Sequence, residues 1–334
     1  MEEYLVHMLI CPNCHGELDW TIHEQQGNRI ERAEASCRDC NNTYPIRDGI
    51  AVFLTTVDPD EDLWESMEGH LSSYFKEHPE VEQQLLEMPL ESLNPADRYF
   101  RAELLEKQGL FSEAAAAEEA ANADLYTEGY LEGQRTQFQR LLKELPSGTD
   151  PILDIASGRC ALVRKLAEKE SRPIIASDLS PHVLHRDRQW LESLGLETQV
   201  SLLAFDIRFT PFREKSLSII TTNLGLPNIM SPGELLNELN RILDGTFLAI
   251  THFYPENDPA HAKLIKEYGL DTFIYQGHAV RAFEENGFNV ELAGTMVCQA
   301  LPTPRSELIP DAAIDAFPLA EVELTWSVLI ASNN

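Results

Sequence analysis

The spacing of hydrophobic positions changes twice along this chain. Residues 1–57 carry short apolar runs between polar turns, residues 58–150 repeat apolar side chains at helical spacing, and from 151 onward short apolar runs alternate with amphipathic segments. The third pattern organises the rest. Pro151 to Asp178 reads PILDIASGRCALVRKLAEKESRPIIASD, which predicts a strand, a small-residue turn, a helix and a parallel strand, the opening unit of a doubly wound α/β sheet. Ser180-Pro181 then predicts a capped helix start running to about Leu194, and Thr198 to Ala204 a third strand leading to Asp206. Leu217 to Asn223 forms the fourth strand. Ser231-Pro-Gly-Glu234 reads as a capping box, with Leu235, Leu236, Leu239, Ile242 and Leu243 on the apolar face of the helix it starts. Asp244-Gly245 turns the chain into strand Thr246 to Thr251, with His252, Phe253 and Tyr254 just beyond its end.

Residues 258–287 read as helices, and two last strands, about Asn289 to Gln299 and Glu321 to Ala331, flank a proline-rich loop from Leu301 to Pro318 that is a candidate lid. Upstream, Leu63, Trp64, Met67, Leu71, Tyr74 and Phe75 share a helical stripe, and Ser112 to Asp124 is an alanine-glutamate run of high helix propensity. Tyr126, Tyr130 and Phe138 mark a last helix ending near Leu145; core packing is their expected role, although an arm so placed can lie across a ligand mouth.

Four of the six cysteines fall in the first segment, as Cys11-Pro-Asn-Cys14 and Cys37-Arg-Asp-Cys40. In a chain without export signals this spacing favours a tetrahedral four-thiolate zinc site over disulfides, and metal binding would supply much of the segment's folding energy. His7, His15 and His23 are then superfluous. Cys160 and Cys298 read as buried small residues rather than nucleophiles.

Charge narrows the partners. With 26 Lys+Arg against 55 Asp+Glu the net charge is −29, a surface that repels phosphate backbones. No apolar run reaches the roughly 18 residues of a spanning helix, and the acidic start lacks the features of a signal peptide, so a cytoplasmic protein with no membrane partner is expected.

The turn Ala156-Ser157-Gly158-Arg159-Cys160 has one glycine, too few for the G-x-G-x-x-G that seats a pyrophosphate. An adenosine-bearing ligand without phosphate asks less: small residues at the turn, an acid for the ribose hydroxyls and a polar contact for the adenine edge.

The ordered set LDIASGRC, IIASDLSP, LLAFDIRFTPF, TTNLGLPNI, ELLNELNRIL, DGTFLAITHF and VELTWSVLIAS resembles the class I S-adenosylmethionine-dependent methyltransferases, over about residues 125–332. The resemblance implies a Rossmann-like seven-stranded sheet, Asp154 and the Ala156, Ser157, Gly158 turn facing the methionine moiety, and Asp178, followed by Leu179, on the ribose. It also implies Asp206 and Ile207 at the adenine, and Asn223 and Leu224 beside the sulfonium. The family usually has glycines where Ala156 and Cys160 stand, which leaves an inactive S-adenosylmethionine-binding scaffold as one alternative.

Residues 1–55, with CPNC, CRDC and YPIRDGI, resemble the small zinc-binding activator subunit of transfer-RNA and release-factor methyltransferases. That resemblance implies a docking or stabilising module acting in cis, with a protein partner as a further expectation. The Asn-Pro-Pro-Tyr that marks amide and exocyclic-amine chemistry is replaced by Asn223-Leu224-Gly225-Leu226, and GLPN is similar to the GLRN element of quinone-biosynthesis C-methyltransferases. With the acidic surface, this favours a small-molecule acceptor over an RNA methyltransferase, the second alternative. If a base is needed, His252 is the first candidate and Tyr254 the second. The expected domains are a zinc ribbon over 1–57, an acidic helical connector over 58–145 and a catalytic domain over 146–334.

Overall fold

The computed structural model describes the backbone of residues 1–54 and 63–333, and the side chains of 1–54 and 69–333. The side chains of Leu63, Trp64 and Met67, assigned above to an apolar stripe, lie outside the described residues.

Eleven strands form one sheet: β1 Leu18–Gln26, β2 Arg29–Cys37, β3 Thr43–Arg47, β4 Ile50–Val52, β5 Ile152–Asp154, β6 Ile174–Asp178, β7 Val200–Ala204, β8 Leu217–Asn223, β9 Leu243–Phe253, β10 Phe288–Ala300 and β11 Val322–Asn333. Their order is β1-β2-β3-β4-β7-β6-β5-β8-β9-β11-β10. The last seven positions are the expected doubly wound sheet, with parallel β7-β6-β5-β8-β9 and an antiparallel closing pair. The count exceeds seven because the cysteine-bearing segment adds its own four strands. The helices are α1 Leu63–Glu77, α2 Pro79–Glu87, α3 Pro95–Lys107, α4 Phe111–Leu125, α5 Glu128–Glu144, α6 Ala161–Lys169, α7 Pro181–Ser193, α8 Pro232–Ile242, α9 Pro259–Glu267, α10 Asp271–Ile274 and α11 Gln276–Glu285.

The ribbon joins the sheet through backbone and core together. Asp48 and Gly49, both at positive φ, turn β3 into β4, which pairs parallel with β7 through Ile50↔Leu202, Ala51↔Leu203 and Val52↔Ala204. Phe53 N–H donates to Ala204 O at 2.8 Å, extending the ladder. Ile10 N–H donates to Pro211 O at 2.7 Å, and the Arg213 guanidinium forks onto Glu17 at 2.6 Å through each nitrogen. Leu9, Tyr44 and Phe53 share one hydrophobic cluster with Leu203, Phe205 and Phe212. An open β7 edge would be a template for aggregation, and β4 covers it.

The connector is helical, as its periodicity predicts. Ala114, Ala117 and Ala121 put the small face of α4 into the interior; Ala114 and Ala117 cluster with Ala102 and Leu105 of α3. The last connector helix, α5, lies across β10 and β11. Gly133 makes this crossing close: a Cβ there would stand 2.6 Å from Trp326 Cδ1. Gln137 Nε2 donates to Gly294 O at 2.7 Å, where β10 bulges and Gly294 takes φ 65°.

Two predicted caps are not formed. Ser231 sits at φ 55° and its side chain accepts no helix amide, so the Ser231–Glu234 capping box is absent. Ser180 likewise caps nothing with its hydroxyl, which is buried without a partner among the described residues; Asp178 Oδ1 instead accepts the Ser180 N–H at 3.1 Å. The fifth strand is also longer than expected. Antiparallel pairing with β11, including His252↔Trp326 and Phe253↔Thr325, carries β9 through Phe253.

Candidate active site

Two sites emerge from this scaffold. In the ribbon, the loop after Ile10 and the β2–β3 turn bring the Sγ atoms of Cys11, Cys14, Cys37 and Cys40 within 4.8 Å of one another. Cys11 and Cys40 stand 3.6 Å apart and Cys14 and Cys37 3.4 Å, close to the sulfur separations around a tetrahedral ion with Zn–S bonds of about 2.3 Å. The donor set fits zinc, and no histidine is needed. Tyr44 Oη, 3.2 Å from Cys11 Sγ, orients that ligand from beneath.

The second site lies at the carboxyl ends of β7, β6, β5 and β8, where Asp206, Asp178, Asp154 and Asn223 stand on neighbouring strands. The β5–α6 turn takes left-handed backbone at Ala156 (φ 48°), Gly158 (φ 51°) and Cys160 (φ 55°). So the conformation that glycines would adopt freely is present despite alanine and cysteine. Gly158 N–H donates to Asp178 Oδ2 at 3.0 Å, and with Ser180 N–H on the other oxygen the Asp178 carboxylate is fixed by two backbone amides.

Asp154 lies beneath the turn. Its carboxylate accepts from Thr221 Oγ1 at 2.7 Å, its carbonyl accepts from the Ser157 and Ser177 hydroxyls at 3.0 Å each, and burial pushes its pKa up to about 7. Asp206 is held by Arg208, whose Nη2 donates to Oδ2 at 2.6 Å and whose backbone N–H donates to Oδ1 at 2.9 Å. Ile207 beside it is buried. Leu179 joins Asp178 to Ser180, the residue before α7. Asn223 Oδ1 is buried without a hydrogen-bond partner among the described residues, and Leu224 follows at φ 57°. An unpaired buried amide oxygen is costly, and at a strand end it marks a place for a polar ligand group. Small turn, anchored carboxylate and free amide oxygen fit an adenosine-bearing ligand.

Leu224 also borders a cavity of about 250 Å³. Tyr126 just after α4, Tyr130 of α5, His252 of β9, Tyr254, and Asp315 and Phe317 of the proline-rich loop form its walls. Tyr126 and Tyr130 stack at 4.8 Å, while His252 meets Tyr130 and Tyr254, each at 5.9 Å between centroids. Burial lowers His252 to about pKa 4, so its imidazole is neutral near pH 7, and its Nδ1 is buried without a partner among the described residues. Burial raises the Tyr254 phenol.

The structure thus brings His252 and Tyr254 together at the cavity and Asn223 with the acids at the neighbouring strand ends. Tyr126, at the end of α4, and Tyr130, in the first turn of α5, do more than fill the core, since both line the cavity. Asp315 escaped sequence reasoning; the available signal was one acid in the otherwise apolar stretch Ala312 to Leu319. The proline-rich segment is fastened as a wall: Asp97 Oδ2 accepts from Glu307 N–H at 3.2 Å, the Ser306 hydroxyl donates to the same carboxylate, and His261 Nε2 accepts the Leu319 N–H at 2.9 Å. Cys160 and Cys298 are buried, and burial pushes both thiols up, against a nucleophilic role. His182 and His185 are exposed on α7.

Residues 152–245 match the family model of a methyltransferase domain, and residues 2–49 match that of Trm112p-like proteins. The chain therefore joins a Trm112p-like ribbon to a methyltransferase domain. It is similar to the ubiquinone/menaquinone biosynthesis C-methyltransferase UbiE of Pseudoalteromonas translucida, 29% identical over 36% of this chain and 49% of that one. The protein of the same name from Ectopseudomonas mendocina is 28% identical over 48% of this chain and 65% of its own. The chain spans less than two thirds of the length of both. Among solved structures, the YcgJ protein of Bacillus subtilis superposes with a TM-score of 0.47 at 15% identity, covering 59% of this chain and 98% of its own. Among the described residues no helix is long and apolar enough to cross a membrane.

Proposed function

We propose that this chain is an S-adenosylmethionine-dependent methyltransferase acting on a small molecule, with its zinc ribbon stabilising the catalytic sheet in cis. The observation that carries the reading is the left-handed turn at Ala156, Gly158 and Cys160 facing an Asp178 carboxylate already oriented by backbone amides. Asp178 would hold the ribose hydroxyls, Asp206 and Ile207 the adenine, the Ala156 to Gly158 turn the methionine end, and Asn223 and Leu224 the sulfonium surroundings. Asp154 supports the turn from below. When bound, S-adenosylmethionine supplies a methyl group activated by its sulfonium.

The protein's remaining work is to position the acceptor and exclude water. The cavity beside Leu224, walled by Tyr126, Tyr130, Tyr254 and Phe317, is suited to both. Neutral His252 can accept a hydrogen bond from the acceptor through Nδ1. Among the described residues no Lys or Arg lines the cavity, which favours a small molecule over RNA. The two quinone-biosynthesis relatives, by their names, also act on small molecules.

Calorimetric titration of the full chain with S-adenosylhomocysteine tests the reading. Saturable binding is expected, weakened at least tenfold by Asp178→Ala; no heat at millimolar ligand overturns it.

A further inference from the structure

Among the described residues the lining of the acceptor cavity has one formal charge, the carboxylate of Asp315. Tyr126 Oη donates to its Oδ2 at 2.9 Å, and among the described residues no Lys, Arg or His forms an ion pair with it. His252 supplies no countercharge because burial keeps its imidazole neutral. A partly buried carboxylate without a cation is unfavourable, as the upward shift of Asp315 by burial shows. Around it stand the rings of Tyr126, Tyr130, Tyr254 and Phe317, with Tyr254 and Phe317 at 6.2 Å between centroids. Aromatic faces carry the negative end of the ring quadrupole and attract cations. The acid and the rings therefore favour the same sign of ligand.

We propose that this cavity recognises a methyl acceptor bearing a protonated amine or quaternary ammonium group, held between the Asp315 carboxylate and the faces of the surrounding aromatic rings. The proposal rests on the methyltransferase reading for calling the occupant an acceptor, and on the cavity alone for its charge. The ammonium is a binding handle, whichever atom of the acceptor is methylated. A volume of about 250 Å³ limits the bound part to a small group. Phosphorylated or carboxylated acceptors would meet Asp315 with no neutralising cation.

The test uses the full chain and three probes of one size: benzylamine, benzyl alcohol and benzoate, titrated with and without S-adenosylhomocysteine. Benzylamine should bind at least tenfold more tightly than benzyl alcohol, and benzoate should not bind. Asp315→Asn should abolish that preference while keeping benzyl alcohol affinity. Should that variant fail to fold, Phe317→Leu keeps the acid and removes one ring, and should weaken benzylamine about two- to fivefold relative to benzyl alcohol. Equal binding of amine and alcohol, or tighter binding of benzoate, overturns the proposal. If S-adenosylhomocysteine binds but the amine preference is missing, the cavity assignment fails and the methyltransferase reading stands. If the preference holds without any S-adenosylhomocysteine binding, the methyltransferase reading fails and the cation site stands.

Discussion

Arg159, in the turn that shapes the candidate cofactor cleft, donates from Nη2 to Glu106 Oε1 of α3 at 2.6 Å. Glu103 and Glu118 lie within 3.8 Å of the same guanidinium, which also sits 5.4 Å over the Tyr99 ring. The helical connector thus clamps the turn from outside, and its acidity is partly accounted for by this clamp. Arg159→Met should cost about 2–4 kcal/mol, since it strands mostly buried carboxylates. It should also weaken S-adenosylhomocysteine binding by loosening the turn. Adding Glu106→Gln should recover part of the loss in denaturant unfolding; a fully additive double variant would show that the two side chains are not coupled.

Asp178 accepts from Gly158 N–H and Ser180 N–H, and in the proposed function its carboxylate also meets the ribose hydroxyls. Asp178→Asn keeps the shape but replaces one acceptor oxygen with a donor. Stability should fall by about 1.5–3 kcal/mol, from the weakened charge-assisted bonds. S-adenosylhomocysteine affinity should fall at least tenfold under conditions where the variant is fully folded. Unchanged affinity would remove Asp178 from the ribose site.

Ala156 holds φ 48°, a conformation that costs a residue with a Cβ about 1 kcal/mol or more. Ala156→Gly should therefore leave stability unchanged or raise it by up to about 1 kcal/mol, the reverse of the usual effect of introducing glycine. The Ala156 Cβ also borders Gly225, so the exchange frees space rather than filling it. Thermal unfolding of the variant against the parent measures this. A loss above about 1 kcal/mol would mean that the alanine methyl packs productively in the turn.

Much of this was legible in the chain. The acids at Asp154, Asp178 and Asp206 close short apolar runs separated by amphipathic helical segments, the pattern of parallel strands buried on both faces. The cysteine knuckles carry their geometry in their spacing. What the sequence hid depends on long-range pairing. Residues 50–52 pair with β3 across the Asp48-Gly49 turn, and nothing in the nearby sequence shows that their other edge pairs with residues 202–204. Asp315 lies in no periodic segment, and its place beside Tyr126 depends on how the junction of α4 and α5 meets the proline-rich loop. Ser231 misled because a cap is a matter of backbone angle and Ser231 is left-handed, whereas Ser180 has the extended backbone of a cap but its hydroxyl accepts no helix amide.

Removing the zinc ligands tests the union of ribbon and sheet. Leu9, Tyr44 and Phe53 belong to the same apolar cluster as Phe205 and Phe212, so a ribbon that unfolds uncovers both that cluster and the β7 edge. Cys37→Ser, or prolonged chelation, should remove about one zinc per chain and lower the melting temperature of the whole protein in a single transition. Aggregation should follow. A catalytic domain that melts unchanged after metal loss would show that the ribbon is an independent appendage.

His252 gives a pH signature with a definite sign. Its pKa falls from an ordinary 6.5 to about 4 through burial, so below pH 6.5 the unfolded chain takes up a proton that the folded chain refuses. The stability associated with neutral His252 is complete above pH 6.5 and is lost as pH falls towards 4, to a maximum of about 3 kcal/mol. Asp154 and Asp187, raised by burial to about 7, act with the opposite sign, losing stability as pH rises towards 7. A wild-type curve would mix these effects. They cancel in the difference between the wild type and His252→Gln, which keeps a polar group without titrating. Urea unfolding from pH 4 to 8 should show the wild type gaining on the variant up to about pH 6.5 and then holding a constant difference. A difference that stays flat below pH 6.5 would mean that His252 is solvated enough to charge in the folded state, and it would then serve the cavity as a cation rather than as a neutral acceptor.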